Sequence, residues 1–259
     1  MTSNKEEKKC LNCGSIVSDH YCSNCGQDIE IEPFTLKRII LTVLFYGILN
    51  RENGYLNSVI VLFKRPGHAV RRYVNGHRVE MFNYFSFLII AIILGQLTHN
   101  IIEYFYPLVR LEKDETEAFF DFFGNNRKLI YVFLLPIKAV ITFVIFRKSK
   151  NNYAEHFVLN TYKFSGQLMI GLVFIVINAV IVNTATLDVV GDISLSLKIL
   201  FSLWFNYQFF SVFYKKKELI IRVILSEVLE YVFVAIGYAL IFILFEIITN
   251  PDGLSNIAL

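Results

Sequence analysis

Residues 84–102 read YFSFLIIAIILGQLTHNII and contain no Asp, Glu, Lys or Arg. A helix of this length rises about 1.5 Å per residue, so it is about as long as the roughly 30 Å hydrocarbon core of a bilayer is thick. The stretch therefore predicts a transmembrane helix. It also predicts that the chain belongs with membrane proteins rather than with soluble domains.

The composition of the whole chain agrees with this prediction. Of its 259 residues 55% are hydrophobic and 18% are charged, 25 are Phe, and the mean hydropathy is +0.51. Soluble domains are about 45–50% apolar and about 25% charged. Four further stretches are apolar enough to be spans, namely 129–146, 166–184, 197–214 and part of 219–248. We therefore expect an all-α integral membrane protein with about five transmembrane helices over residues 81–259.

The charges between these stretches predict an orientation. Lys and Arg are concentrated before the first stretch, in 147–163 and in 214–222, whereas 185–196 and 250–259 contain none and 103–128 is rich in acidic residues. Short cytoplasmic loops of membrane proteins carry an excess of Lys and Arg. The N-terminus is therefore expected in the cytoplasm and the C-terminus on the outer side.

A cysteine motif near the start of the chain predicts a metal site. The only cysteines form one C-x2-C-x8-C-x2-C set: Cys10, Cys13, Cys22 and Cys25. Two residues between thiolates let one turn present both sulfurs to a tetrahedral ion, and Gly14 and Gly26 let the backbone curl after each pair. We expect one structural Zn²⁺ in a small head over residues 1–30. An iron–sulfur or redox role is the alternative for the thiols, and His20 is a conceivable alternative ligand.

Residues 31–80 predict interfacial helices and a basic segment. Residues 35–50, TLKRIILTVLFYGILN, are apolar but too short to span, which predicts an interfacial or re-entrant helix. Downstream, Pro66 can begin a helix and Gly76 can end it. The Lys and Arg side chains of this basic segment have two possible roles. They either anchor the chain on anionic headgroups, or they bind a lipid headgroup, a phosphate-bearing ligand or an acidic partner. The candidate lipid- or partner-binding residues are Lys64, Arg65, Arg71, Arg72, Tyr73 and Arg78.

Ionisable residues within the apolar stretches form a second candidate site. Lys138 lies midway along the second stretch, where a Lys costs about 2.5–3.5 kcal/mol unless it faces protein or water. Its expected partners are Glu227 and Glu230, one turn apart near the cytoplasmic third of the last helix. This group is either a packing pair or a functional site. Glu155 and His156 stand in a cytoplasmic loop at the start of the third helical segment. For His156 a helix-capping or interfacial role is expected over acid–base chemistry.

The head and the basic segment together resemble a known family. The residues that carry the resemblance are the CxxCG and YCxxCGQ knuckles and, after them, Arg65, Pro66, Gly67, Tyr73, Gly76, Arg78, Pro136, Ala139, Phe146, Arg147, Tyr153, Glu155 and His156. Over roughly residues 1–165 the chain resembles the bacterial Domain of Unknown Function 3667 family. The resemblance implies a zinc-ribbon-headed protein of the inner (cytoplasmic) membrane of Bacteroidetes-type bacteria, with no assigned activity. Lys138 stands where that family has an apolar residue, and the last three spans match only in being hydrophobic.

The sequence favours a binding protein over an enzyme. It contains no HExxH, G-x-S-x-G, Walker loop or nucleotide fingerprint, and the net charge of +3 is too small to predict a nucleic-acid partner. The expected partners are the bilayer and its anionic headgroups, with a protein partner or a homo-oligomer as alternatives. The preferred function is a cytoplasmic platform that docks a partner or anionic lipid. The alternative is a transporter or lipid-handling protein that uses the Lys138 group.

Overall fold

The computed structural model describes residues 8–45, 54–105, 132–180 and 184–249. This part of the chain is mostly helical, so the predicted all-α class is confirmed. The strands are β1 (Lys8–Lys9) and β2 (Ile16–Val17), which pair antiparallel. The helices are α1 (Leu36–Phe45), α2 (Tyr55–Lys64), α3 (Pro66–Val74), α4 (Tyr84–Phe105), α5 (Val132–Ile145), α6 (Tyr153–Val180), α7 (Thr184–Phe210) and α8 (Lys216–Thr249).

Three of these helices are long and apolar enough to cross a membrane. The candidate spans are Tyr84–Ile101 in α4, Tyr153–Ile177 in α6 and Val189–Phe210 in α7. Shorter apolar helices are α2 and α5, and α8 covers the fifth predicted stretch. The acidic segment 106–128 and the end of the predicted interfacial helix, 46–50, lie outside the described residues. Five spans and their orientation stay predictions.

Two predicted span boundaries need correction. The third stretch was expected over 166–184, yet α6 begins at Tyr153 and its candidate span is Tyr153–Ile177. The fourth was expected over 197–214 after a loop at 185–196, yet α7 begins at Thr184 and ends at Phe210. The shift in α6 has a physical reason: its first turns look polar in sequence, but their polar side chains face the bundle interior and are hydrogen-bonded there.

That reason is visible at helical spacing on one face of α6. His156, Asn160 and Lys163 follow one another at i, i+4 and i+7, and all three are buried. Residues at this spacing lie above one another on a helix. A polar stripe that faces inward leaves an apolar surface for lipid, and so a helix with many polar residues still qualifies as a span.

The end of α5, the start of α6, the end of α7 and the start of α8 meet at one end of the bundle. Phe146, just after α5, stacks on Phe210 at the end of α7 with a centroid distance of 3.7 Å. His156, near the start of α6, stacks on the same Phe210 ring. Lys148 contacts Glu218 at the start of α8 at 2.8 Å. These ends, together with α3 and the cysteine head that contacts it, form what we call the head end of the bundle.

Helix α3 is held against the C-terminal end of α7 by close packing. Pro66 is its first residue and Gly76 follows its end with φ +100°, so the predicted start and stop signals are confirmed. A Schellman pair closes the helix, with the His77 amide donating to Arg72 O and the Gly76 amide to Tyr73 O. A Cβ at Gly67 would clash with the backbone of α7 at Phe205 and Phe209. Only Gly permits this approach.

Candidate metal centre and buried ion cluster

The cysteine head consists of two similar turns. In the first, the Gly14 amide donates to Cys10 O at 2.9 Å, and in the second the Gly26 amide donates to Cys22 O at 2.7 Å. Gly14 has φ +77° and Gly26 has φ +73°. These left-handed conformations favour glycine, and they are the curl that the sequence predicted. The pairing of β1 with β2 flanks the first turn, and the Tyr21–Asp28 bridge flanks the second.

The geometry of the four thiols fits a tetrahedral metal ion. Their Sγ atoms all lie within 4.8 Å of one another, and the contacts Cys10–Cys25 and Cys13–Cys22 are 3.6 and 3.5 Å. An ion with Zn–S bonds of about 2.3 Å separates its sulfurs by about 3.8 Å in a tetrahedron. All four cysteines are free thiols. The four cysteines could therefore hold a metal ion, and His20 is not a member of this cluster.

The surroundings of the thiols differ across the site. Hydrogen bonds with Ser15 lower the pKa of the Cys13 thiol to about 5, whereas burial raises the pKa of Cys25 to about 11. A bound divalent cation deprotonates coordinating thiols and thereby overrides such differences. With four protein ligands the site has no open position for a substrate, so the metal fits a structural role.

The head is docked on the bundle through Arg78. The Arg78 amide donates to Oε1 of Gln27, which directly follows the second knuckle, at 3.0 Å. Its guanidinium donates to Glu32 O at 2.9 Å and lies 4.2 Å above the Phe34 ring. Phe34 in turn stacks on Tyr73 of α3. Burial lowers the pKa of Arg78, which remains a cation because an Arg guanidinium keeps its proton in proteins.

Arg71 binds the end of α7. Its Nη1 donates to Gln208 O at 2.9 Å and to Phe209 O at 3.0 Å. These carbonyls belong to the last turn of α7, where helices leave acceptors unsatisfied and carry partial negative charge. His68 lies 2.8 Å from Arg71 Nη2, and burial together with the charges of Arg71 and Arg65 lowers the pKa of His68. A neutral His68 accepts a hydrogen bond from the guanidinium.

The predicted lipid- or partner-binding residues thus divide into two groups. Arg71, Tyr73 and Arg78 make contacts within the protein, and Tyr73 is buried. Arg72 is exposed and pairs with Glu80 at 3.1 Å. The remaining two, Lys64 and Arg65, are exposed at the junction of α2 and α3.

An ion cluster lies in the interior of the bundle. Glu230 of α8 contacts two lysines, Lys163 Nζ at 2.5 Å and Lys138 Nζ at 3.5 Å. Lys163 is fully buried and Glu230 is 2% exposed. The predicted pairing of Lys138 with the last helix is therefore present in the structure. The closer partner, Lys163, was not predicted.

The second carboxylate of the cluster takes a neutral partner. Ser202 Oγ of α7 donates to Glu227 Oε2 at 2.6 Å. Glu227 and Glu230 are one turn apart on α8, so their side chains share a face. Four helices thus contribute to one buried polar site: α5 with Lys138, α6 with Lys163, α7 with Ser202, and α8 with both glutamates.

A hydrogen-bonded network connects this site toward the head end. Thr142 Oγ1 lies 3.1 Å from His156 Nδ1 and accepts from Asn160 Nδ2 at 2.9 Å. Asn160 Nδ2 also reaches Lys138 O at 3.4 Å and His156 O at 2.8 Å. His156 is 1% exposed. It therefore lies inside the bundle, which corrects its expected place in a cytoplasmic loop or at the interface.

Glu155 caps the start of α6, a role that the sequence analysis did not assign to it. Its Oε2 accepts from the Asn152 amide at 3.0 Å, and Asn152 Oδ1 accepts from the Glu155 amide at 3.0 Å. This reciprocal pair is a capping box and fixes the start of α6. Asn152 also donates through Nδ2 to Phe34 O at 2.9 Å, so the same residue joins α6 to the segment after the head.

Comparisons with protein-family models, curated proteins and solved structures found no match to this chain. The resemblance to the Domain of Unknown Function 3667 family accordingly stays a prediction.

Lys163 lies in the basic stretch 147–163, where the sequence predicts a cytoplasmic loop before the third span, so Lys163 is not among the predicted site residues. Helical spacing could have found it: Lys138 and Thr142, His156 with Asn160 and Lys163, Ser202 and Asn206, and Glu227 with Glu230 each recur at three- or four-residue intervals. Four such polar stripes in apolar helices predict one shared interior. The pairing of particular atoms across helices has no signal in the sequence.

Proposed function

We propose that the chain is a multi-pass protein of the bacterial inner membrane whose zinc-stabilised head and basic loops form a cytoplasmic platform that binds anionic lipid headgroups. The proposal includes about five spans, a cytoplasmic N-terminus and a C-terminus on the outer side. Three apolar helices of spanning length and the four clustered cysteines support it. The alternation of basic and non-basic loops supports the orientation.

The observation that carries the proposal is the convergence of exposed bases at the head end. Lys64 and Arg65 directly precede α3, whose Gly67 packs against the backbone of α7 at Phe205 and Phe209. Two further connections at the same end expose Arg147, Lys148, Lys150, Lys215, Lys216 and Lys217. Each Lys or Arg near an anionic bilayer surface adds about 1 kcal/mol of attraction, so several of them together favour binding to acidic headgroups.

Native mass spectrometry of the detergent-purified protein tests the platform. We expect the wild type to retain phosphatidylglycerol or cardiolipin, and the Lys64→Gln/Arg65→Gln variant to retain several-fold less. The matched control is Lys8→Gln/Lys9→Gln, which removes the same charge from the exposed strand β1 of the head. Equal lipid retention in both double variants and the wild type would contradict the proposal, and an acidic protein in place of lipid would identify another occupant.

A transporter or lipid-handling protein is the second candidate, and the buried ion cluster favours it. Ionisable groups inside a membrane are costly and commonly mark a pathway for ions or substrates. The variant Lys138→Leu distinguishes the two candidate functions. Lipid retention at Lys64 and Arg65 survives this change under the platform function, whereas transport is abolished under the second candidate while the helical content is preserved.

A further inference from the structure

The two carboxyl groups of the ion cluster have different surroundings. Glu230 is contacted by both ammonium groups, at 2.5 and 3.5 Å. Glu227 instead accepts a hydrogen bond from the Ser202 hydroxyl at 2.6 Å. With all four charged groups ionised the cluster is neutral, and both cations lie closest to the same carboxylate. Glu227 is therefore the group whose charge is compensated at longer range.

This arrangement allows Glu227 to gain or lose a proton without moving heavy atoms. A hydroxyl is both donor and acceptor, so Ser202 can donate to the ionised carboxylate or accept from the protonated carboxyl by rotating its O–H bond. Two carboxylates one turn apart in a buried site repel each other when both are ionised. Protonation of Glu227 removes that repulsion and leaves the Lys163–Glu230 pair intact.

A polar lane leads from this site toward the head end. Along α6, His156, Asn160 and Lys163 cover about 10 Å on one face at 1.5 Å per residue, and Thr142 of α5 bonds the first two. Unpartnered polar atoms line the same region: His156 Nε2, Asn160 Oδ1 and both amide atoms of Asn206 have no protein partner in the described part of the chain. These three residues are at most 1% exposed.

Such buried polar atoms usually bind water, and water carries protons between titratable groups. Asn206 stands one turn beyond Ser202 on α7, next to the group that holds Glu227. The groups that interact with Glu227 from the packed helices are Glu230 of α8, Lys138 of α5, Lys163 of α6 and the neutral hydroxyl of Ser202 on α7. His156 lies two turns before Lys163 on α6. His156 at the outer part of the lane can relay a proton, because a neutral imidazole accepts a proton at one ring nitrogen and donates one from the other.

We propose that Glu227 is a proton-binding site in the bundle interior, which exchanges its proton with the head end along the lane of Thr142, His156 and Asn160. The ligand is H⁺ itself: an O–H bond forms on the Glu227 carboxylate and breaks again when the proton leaves. The proposal deepens the second candidate function, on which it rests, by naming the coupling ion. The proton site and the transport function have separate tests.

Infrared pH titration of the full-length reconstituted protein tests the site. A protonated carboxyl in a dry site has a C=O stretch separate from that of exposed carboxyls. We expect the wild type to show such a band that titrates and Glu227→Gln to lack it. Glu230→Gln and the control Glu218→Gln, at the half-buried start of α8, should keep a titrating band. Ser202→Ala keeps Glu227 but removes its hydroxyl partner, so the band should shift in frequency. If Glu227→Gln fails to fold, the frequency shift in Ser202→Ala tests the proton site instead.

Absence of a titrating band in the folded wild type, or an unchanged band in Glu227→Gln, would overturn the proposal. Proton flux into liposomes, driven by a potassium gradient with valinomycin, is measured in parallel. A titrating Glu227 band without flux supports the proton site and removes the transport function. Flux that persists in Glu227→Gln overturns the site and leaves transport standing.

Discussion

Glu230 is the residue on which the interior of the bundle depends most. It accepts contacts from Lys163 of α6 and Lys138 of α5, and it belongs to α8, so one carboxylate joins three helices. Charges in a low-dielectric interior are tolerated only as well-paired groups, and breaking a pair leaves an uncompensated charge. The pairing therefore acts as a constraint on how these helices meet.

Lys163→Met tests this constraint. We expect it to lower the free energy of unfolding by about 3–5 kcal/mol, because it removes the closest cation from a buried carboxylate. The matched control is Lys163→Met/Glu230→Met, which leaves one Lys and one Glu in the cluster and should recover most of the loss. Denaturant titration in detergent micelles gives both values. A double variant less stable than the single one would show that Lys163 and Glu230 do not act as a pair.

At the scale of elements, α3 functions as a cap for α7. It approaches α7 closely at Gly67 and places Arg71 on the last-turn carbonyls of Gln208 and Phe209. Since the guanidinium is always charged and carries several donors, it satisfies two acceptors at once. A basic segment that resembles a lipid anchor in sequence is thus in part an internal structural element.

The neighbouring arginines of α3 give a matched pair of variants. Arg71→Gln should lower the free energy of unfolding by about 1.5–3 kcal/mol, because charge-assisted bonds to half-buried carbonyls are lost. Arg72→Gln removes only an exposed ion pair with Glu80 and should cost no more than about 1 kcal/mol. Thermal unfolding followed by circular dichroism compares the two. An equal loss in both variants would contradict the capping role of Arg71.

The elements could be predicted from sequence where local signals are strong. Pro66 and Gly76 delimit α3 as expected, and each predicted apolar run overlaps one of the helices α4 to α8, because start, stop and hydropathy signals are local. The start of α6 at Tyr153 was not predicted: the reason that its polar residues are tolerated lies in partners on α5 and α8. Which side chains on neighbouring helices become partners depends on how the helices pack. The spacing of residues along one helix does not predict these partners.

For the whole molecule, the head and the bundle form a connected unit. Gln27 follows the last cysteine pair, and its side chain accepts the backbone amide of Arg78, which lies between α3 and α4. Arg78 also holds Phe34, which packs on Tyr73 and Tyr84. The cysteine head is therefore positioned at the head end of the bundle. The cysteine pattern predicted the site but gave no sign of this docking.

Metal removal and loss of docking should have separable effects. A chelator should release about one Zn²⁺ per chain and expose four reactive thiols, because small cysteine sites fold around their metal.

Arg78→Ala should keep the zinc yet raise amide hydrogen exchange across residues 27–34, since it loses the contacts to Glu32 and Phe34. The control is Arg38→Ala on α1, which removes another donor to Glu32 O, at 3.3 Å, and should change exchange less. Zinc loss from Arg78→Ala would contradict an independent metal site.

We propose that the cysteine head and the basic loops face the cytoplasm together. Labelling of single added cysteines with a membrane-impermeant thiol reagent tests this orientation, with the wild type as background. We expect Thr184→Cys, at the start of α7, to be labelled in intact cells, and Lys150→Cys to be labelled only after permeabilisation. Labelling of Lys150→Cys in intact cells, with Thr184→Cys protected, would show the reverse orientation and contradict the proposed function.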